Sequence, residues 1–467
     1  MSQTDHTQLF YEFLNEQGRT ERYDFTNPIE IISAVRIEQV MPALKKVRFY
    51  TESGYYAAGY VSYEAAPAFD PAFRVHTAPK LPLLWFGIYE KSVPVETDGF
   101  RGNSSFQLNE WTMDTDYSAY QDKVSRIKQE ISDGATYQTN FTMRMNSAFR
   151  GDNHAFYKKI TETQSGYHAY LNLGRYRILS ASPELFFRWN GHRIVTRPMK
   201  GTSGRGRWSE EDRALASRLF HSEKERAENV MIVDLLRNDL GTIAKPGSVR
   251  VSKLFDIERY PTVLQMTSTV EAETKEDVKL EDVFRALFPC GSVTGAPKVN
   301  TMSLIHELED SPREVYCGAL GFVKPGGEAV FNVPIRTVAV DADLGKAMYG
   351  VGGGITWDST PEGEYREAAT KAKMLTEDQP EFELLESLKL EDGNYDLLER
   401  HLQRLKASGE YFLFAIDLDR VKQRLKDFAD AHPSGFYKVR LLAAYDGSIF
   451  VEGNPAQPLD NTYEIEL

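Results

Sequence analysis

Cysteine is almost missing from this chain of 467 residues, which has only Cys290 and Cys317. Two thiols cannot build a disulfide framework, and their spacing fits no zinc-ligand pattern. The fold must therefore rest on its hydrophobic core, and the usage suits a reducing cytoplasm. No run of 18 apolar residues occurs, so no membrane-spanning helix is expected. The opening MSQTDHTQLFYEFLNEQ lacks the apolar centre of a secretory signal. The nine histidines are scattered, with no HExxH and no paired spacing. Positive charge is in deficit, with 55 Lys and Arg against 68 Asp and Glu and a net charge of −13. That balance argues against nucleic acid or a membrane surface as a partner, yet leaves room for a small anionic substrate held by local positive charge. Internal repeats and low-complexity tracts are also missing.

What remains is a chain of ordinary globular composition, long enough for two or three domains. Short apolar runs punctuated by Gly, Pro and Asn fill residues 1–115, with strands predicted at Val47–Tyr50, Tyr55–Val61 and Leu83–Tyr89. Apolar residues at 117, 120, 124, 127 and 131 predict a helix ending near Gly134. Strands are predicted at Tyr137–Met145, His168–Leu173, Tyr176–Ser180 and Leu185–Trp189, with a short helix near Ala155–Thr163. Residues 209–240 read as one long helix or two abutting helices, with Ser209 and Asp212 as a cap and Gly241 as a stop. Residues 281–308 are helical but interrupted by FPCGSVTGAPK. Strands follow at Ala319–Val323, Val330–Val340 and Lys346–Val351, then a helix over Pro361–Leu375. The segment EDQPE, 377–381, reads as a boundary. Beyond it lie Phe382–Leu390, helices Asp396–Phe412 and Asp419–Ala431, and the strand Tyr437–Tyr445. Strands and helices mix without βαβα alternation, so the fold class is α+β.

Four constellations can carry chemistry. Glu225 and Glu228, and Glu364 and Glu367, each have i,i+3 spacing, which puts each pair on one helix face. Two such pairs can hold Mg2+ through oxygen, with Lys371 one turn beyond Glu367 to meet a substrate anion. The same spacing also describes solvated helix surfaces. Lys200, between Pro198 and Gly201–Thr202, sits on a shaped turn where an amine can act as a nucleophile. Glu184, sixteen residues earlier, can act as its general acid or base, and an ordinary basic loop is the alternative. FPCGSVTGAPK has small residues that let backbone N–H groups approach an anion, though it is no GxxxxGK[ST] loop and also reads as a plain turn. Arg336 in a strand-like PIRTVAV run, with Gly352, Gly353 and Gly354 after another strand, can clamp a carboxylate or simply form a cross-strand contact and a hairpin. Together these residues point to a Mg2+ enzyme acting on a small polycarboxylate.

Taken in order, SASPE, RPMKGT, KERAENVMIVDLLRNDLG, GSVTGAPK, VYCGALG, IRT, GVGGGI and EYREAATKAKML resemble the chorismate-utilising enzymes. That family includes anthranilate, aminodeoxychorismate, isochorismate and salicylate synthases. The resemblance spans residues 1–376 (an N-terminal part, 1–115, and a catalytic part, 116–376) and is strongest from Gly134 to Leu375. It implies a large α+β chorismate-binding fold with β-sheets packed face to face, helices outside and the site in a deep cleft. It further implies that Glu228 and Glu367 hold Mg2+, with Glu225 and Glu364 as supporting carboxylates. Tyr316, Arg336 and the backbone of Gly352, Gly353 and Gly354 would grip the enolpyruvyl carboxylate. The metal and Lys371 would hold the ring carboxylate, and Thr202 counts among the substrate contacts.

Within the family, Lys in the PxKGT motif marks aminodeoxychorismate synthases, where anthranilate synthases carry Ala; here it is Lys200. Isochorismate and salicylate synthases carry a Lys base in the YQ-x-N strand, a position that corresponds here to Thr139 in TYQTNFT. The resemblance thus implies ammonia addition at C4 of chorismate through a covalent Lys200 intermediate, with Glu184 donating the proton. The product would be 4-amino-4-deoxychorismate, the precursor of p-aminobenzoate. The alternatives are anthranilate synthase component I, isochorismate synthase, or a non-catalytic chorismate-binding protein. Gln265 stands where many members have His. No amidotransferase segment is found, so ammonia is expected from a separate glutamine amidotransferase or free ammonium. Residues 382–467, with FELLESLKLEDGNYDLLERHLQRLKASGEYFLF and YKVRLLAAYDG, resemble the start of an aminodeoxychorismate lyase of the pyridoxal-phosphate type. There Arg404 would approach the cofactor phosphate. The chain stops before that family's Schiff-base lysine, so functional pyridoxal phosphate is not expected; a small α+β appendage is the alternative.

Overall fold

The computed structural model describes residues 7–93, 105–162, 166–377 and 382–457. They fall into two compact units: Met1–Thr202, Leu219–Glu258 and Gln265–Asp378 in the first, and Ser203–Arg218, Arg259–Leu264 and Gln379–Leu467 in the second.

Two largely antiparallel sheets, each of ten strands, dominate the first unit. The alternation of side chains along each strand shows how they pack. On Gln8–Leu14, residues Leu9, Tyr11 and Phe13 join a core shared with Ala58 and Tyr60 of Tyr56–Val61 and Leu320 and Phe322 of Ala319–Val323, strands of the other sheet. Phe10 points the opposite way, into a second core with Val124 and Ile127 of helix Tyr117–Ser132 and Ala368 and Ala372 of helix Pro361–Ala372. On the far side of the other sheet, Ala57, Phe86, Ala319 and Phe331 meet Val40, Leu44 and Val47 of helix Ile37–Glu52. Ile232, Val233 and Leu236 of helix Glu223–Gly241 join the same core. The order of layers is therefore helices, sheet, sheet, helices, with the two sheets face to face.

Val47–Tyr50 is not a strand. It is the last turn of helix Ile37–Glu52, whose Val40, Leu44 and Val47 recur at the helix period and outweigh the local β-propensity. Val330–Val340 is not one strand either. Ala329–Asn332 belongs to one sheet and Thr337–Asp341 to the other, and the chain crosses between them through Val333, Pro334, Ile335 and Arg336. A second crossing runs the other way, from Tyr176–Ser182 through Pro183 and Glu184 to Leu185–Trp189. The two crossings are tied together: Ser182 Oγ donates to Val333 O at 2.6 Å and Val333 N donates to Glu184 O at 3.0 Å.

Residues 209–240 form two helices, Ser209–His221 and Glu223–Gly241. Ser222 separates them and caps the second, its side chain accepting from Glu225 N. Ser209, expected to begin a cap with Asp212, is the first residue of its helix. Asp212 accepts from Arg205 Nε at 2.6 Å and Gly206 N at 3.0 Å, both within the second unit.

In that second unit a four-stranded antiparallel sheet, ordered Asn394–Tyr395, Leu384–Glu391, Phe436–Ala443, Ile449–Pro455, packs with helices Leu398–Phe412 and Leu418–Ala431. Its core includes Leu388, Leu402, Leu405, Val421, Leu425 and Leu441. Arg404 donates from Nε to Glu386 Oε1 at 2.8 Å, and His401 Nδ1 lies 2.6 Å from Glu386 Oε2. The expected boundary at 377–381 falls, from 378 on, outside the described residues.

Candidate active site

One cleft of the first unit is lined by Lys200, Glu184, Tyr316, Arg336, Thr202, Lys371 and all four candidate metal carboxylates, together with Gly352, Gly353 and Gly354. The fold explains the convergence. Glu184 and Arg336 come from the two tied crossings between the sheets. Arg336 is not in a strand: it stands at the end of its crossing with φ of 52°, and its carbonyl accepts from Ala181 N at 3.1 Å.

The three glycines lie within strand Lys346–Ile355 rather than after it. That strand pairs along its whole length with Gln138–Gly151, but with Thr337–Asp341 only from Lys346 to Tyr349. Past Tyr349 one backbone edge faces the cleft, offering N–H and C=O groups to a ligand. Lys371 Nζ already uses Gly352 O, at 2.9 Å. Tyr316 packs against the same strand, where a β-carbon on Gly350 would strike its ring at 2.4 Å. Burial pushes the Tyr316 phenol well above its ordinary value, so it stays protonated and able to donate.

Glu184 is buried, and desolvation pushes its carboxyl up to about 7 despite the hydrogen bond from Ser292 and the nearby charges of Lys200 and Arg336. Ser292 Oγ donates to Glu184 Oε1 at 2.6 Å. This use of the GSVTGAPK loop was not anticipated: the loop serves Glu184 by a side chain. A carboxyl poised near neutrality can give up a proton and take it back.

The carboxylates arrive from opposite outer layers, Glu225 and Glu228 on the 223–241 helix and Glu364 and Glu367 on the 361–372 helix. Burial pushes Glu228 up to about 7, and also raises Glu225 and Glu364, with repulsion among the carboxylates adding to it. Glu367 alone is lowered, chiefly by Lys371, whose Nζ is 2.8 Å away. Among the described residues no three His, Cys, Asp or Glu side chains already stand in a geometry that could hold a metal ion. The donor chemistry nevertheless fits Mg2+, which takes oxygen ligands: four carboxylates line the cleft, with Lys371 paired to Glu367 and Lys224 Nζ 3.9 Å from Glu228.

Thr139 does not reach the cleft. It is fully buried on the strand face that also carries Phe141 and Met143, which pack in the core under the helices. Gln138 and Asn140 alternate to the other side. A β-carbon on Gly354 would lie 2.1 Å from Gln138 Nε2 and 2.9 Å from Lys200 Nζ, so Gln138 is the strand residue beside Lys200. The period-two pattern of QTNFTM carried that signal, and the motif alignment was one residue out of step with it.

Those distances yield a prediction. Gly354→Ala meets the tips of two side chains, which can swing aside, so folding should survive. Lys200 would be displaced by about an ångström, and turnover should fall about a hundredfold with the melting temperature little changed. Gly352→Ala, by contrast, meets Phe141 O at 2.1 Å, which is backbone and cannot swing, and should lower the melting temperature. Calorimetry beside an activity assay separates the two.

Residues 99–377 match the family described as chorismate binding enzyme. Over 250 residues the chain is 42% identical to aminodeoxychorismate synthase component 1 of Bacillus subtilis, covering 53% of each chain. It is 39% identical over 267 residues to anthranilate synthase component 1 of Aquifex aeolicus, covering 57% of this chain and 53% of that one. The alignments thus span about half the length of these curated relatives. The crystal structure of anthranilate synthase component I from Streptococcus pneumoniae superposes with a TM-score of 0.63 at 25% identity, over 79% of this chain and 90% of that one. Overall similarity therefore reaches both kinds of synthase, and the choice between them falls to single residues in the cleft.

Proposed function

We propose, from the premise that this chain belongs to the chorismate binding enzyme family, that it converts chorismate and ammonia to 4-amino-4-deoxychorismate and water. The observation that carries the choice is Lys200 in the same cleft as the buried, near-neutral Glu184. An alanine at that place, as in anthranilate synthases, would offer no nucleophile.

In this reading the Lys200 amine attacks C2 of the ring, both ring double bonds shift by one position, and the C4 hydroxyl leaves as water with a proton from Glu184. Ammonia then attacks C4, both double bonds shift back, and the C2–nitrogen bond breaks to free Lys200. Glu184 recovers the proton that the new amine sheds. Two easier displacements replace one hard one. Gln138 beside Lys200 bears no basic group at neutral pH, so water is not activated there, which favours ammonia over the hydrolytic chemistry of isochorismate formation. Tyr316, Arg336 and the open edge of Gly352–Gly354 orient the enolpyruvyl carboxylate, and Lys371 meets the ring carboxylate.

Mg2+, held by Glu228 and Glu367 with Glu225 and Glu364 behind them, would supply the positive charge that lets a dicarboxylate enter an acidic cleft. Chelation with EDTA is accordingly expected to abolish chorismate binding as well as turnover, and excess Mg2+ to restore both; isothermal titration reads the binding. The ammonia would come from a separate amidotransferase subunit, with the enzyme acting in the cytoplasm. Among the described residues no helix is long and apolar enough to cross a membrane. The segment 382–467 supplies no pyridoxal chemistry in this reading.

The test is a product assay with chorismate, Mg2+ and an ammonium salt, resolved by mass and chromatography. Accumulation of 4-amino-4-deoxychorismate supports the reading. Anthranilate or isochorismate as the main product overturns it, and p-aminobenzoate formed without an added lyase overturns the view of the tail.

A further inference from the structure

Gln265 lies on strand Val263–Glu273, next in the sheet to the strand Met199–Gly204 that carries Lys200. Its carboxamide is buried and both ends are engaged. Nε2 donates to Gly201 O at 2.8 Å, and Oε1 accepts from Thr202 Oγ1 at 3.0 Å. The two residues that follow Lys200 are thus held by one side chain, one through the backbone and the other through its hydroxyl.

The strand is irregular at this point: Gly201 has a φ of 96°, a conformation that only glycine adopts without strain. Lys200 O accepts from Asn229 Nδ2, at the long distance of 3.4 Å. A carboxamide suits the task because it donates and accepts at once. A carboxylate of the same shape cannot donate to Gly201 O, and a thioether cannot donate and accepts only weakly.

We infer that Gln265 is a positioning residue: it clamps the Lys200–Gly201–Thr202 segment of its strand so that the Lys200 amine is aimed into the cleft. Thr202 then acts through Gln265, not as a substrate contact. The inference rests on the reading of Lys200 as nucleophile, and the experiment separates the two.

The variants are Gln265→Met, Thr202→Val, the two combined, and Lys200→Ala as the control, with kcat and KM for chorismate measured at saturating Mg2+ and ammonium. Gln265→Met loses two hydrogen bonds and should lower kcat about 10- to 100-fold, with KM changed less than about twofold. Thr202→Val loses one and should lower kcat about 3- to 10-fold. Because both act through one clamp, the combined variant should be no slower than Gln265→Met alone. Wild-type kcat in Gln265→Met, effects that multiply in the combined variant, or a raised KM at unchanged kcat would each overturn the clamp. If Gln265→Met does not fold, Thr202→Val decides alone, since Thr202 is exposed and its loss leaves the core intact: kcat equal to wild type overturns the inference. Full activity in Lys200→Ala instead overturns the reading of Lys200 itself.

Discussion

Lys200→Ala is expected to lower formation of 4-amino-4-deoxychorismate by on the order of 10⁴-fold, the scale on which loss of an attacking group acts when the rest of a site remains. The cleft keeps its other parts: Glu184, Arg336, Tyr316 and the four carboxylates stand on other elements. Chorismate should still bind. Lys200→Arg tests whether charge alone suffices. A guanidinium keeps the positive charge but is never deprotonated at working pH and cannot attack carbon, so it should be as inactive as alanine. Withholding ammonia gives a second measurement on the wild type. An adduct with the mass of chorismate less water should accumulate on the peptide containing Lys200. Loss of activity in Lys200→Ala with full activity in Lys200→Arg would show that the lysine serves only as a charge, and the covalent step would be abandoned.

Glu184→Gln is expected to cost about 10³-fold in turnover, within the range for general acid–base catalysis, and to change the dependence of stability on pH in a stated direction. The folded carboxyl is raised to about 7, above its unfolded value. Folded protein therefore holds this proton where unfolded protein has lost it. The stabilisation is complete below the unfolded value, near 4.5, and is lost as pH rises through about 7. Glutamine cannot ionise, keeps an oxygen for the Ser292 hydroxyl, and escapes the loss. Relative to wild type, the variant should gain stability between pH 5 and 8, by up to roughly 3 kcal/mol. Thermal melts of both proteins across that range, without metal, read the difference. In the wild type kcat/KM should fall on the alkaline side as Glu184 ionises. A melting difference that does not grow with pH would mean that Glu184 carries no raised affinity for its proton.

How much of this was legible beforehand depended on the range of the forces involved. Helix Tyr117–Ser132 was readable because its apolar residues recur on one face, and strand Leu185–Trp189 because flanking turns delimit it. The α+β class followed from the order of such elements, and the motifs gathered in the cleft were named from their order along the chain. Val47–Tyr50 was misread because Val47, Phe49 and Tyr50 look like a strand until Val40 and Leu44 are counted with them. Val330–Val340 was misread for a different reason. Nothing local says that a chain will leave one sheet and enter another, and that crossing is what brings Arg336 into the cleft. The bonds from Ser292 to Glu184 and from Gln265 to Gly201 link residues 108 and 64 positions apart, and no periodicity reaches that far.

The two carboxylate pairs ride on helices that belong to opposite outer layers, with both sheets between those layers. Neither layer carries more than half of the ligands. A divalent ion bound by both pairs would therefore act as a gauge of assembly: it has no site until both layers have docked, and a partly folded chain would hold it weakly. The ion would also resist separation of the layers. At a hundred times its dissociation constant it would add about 2.7 kcal/mol to the whole sandwich, far from any chemistry. If that ion is Mg2+, scarcity of it would weaken turnover and fold together.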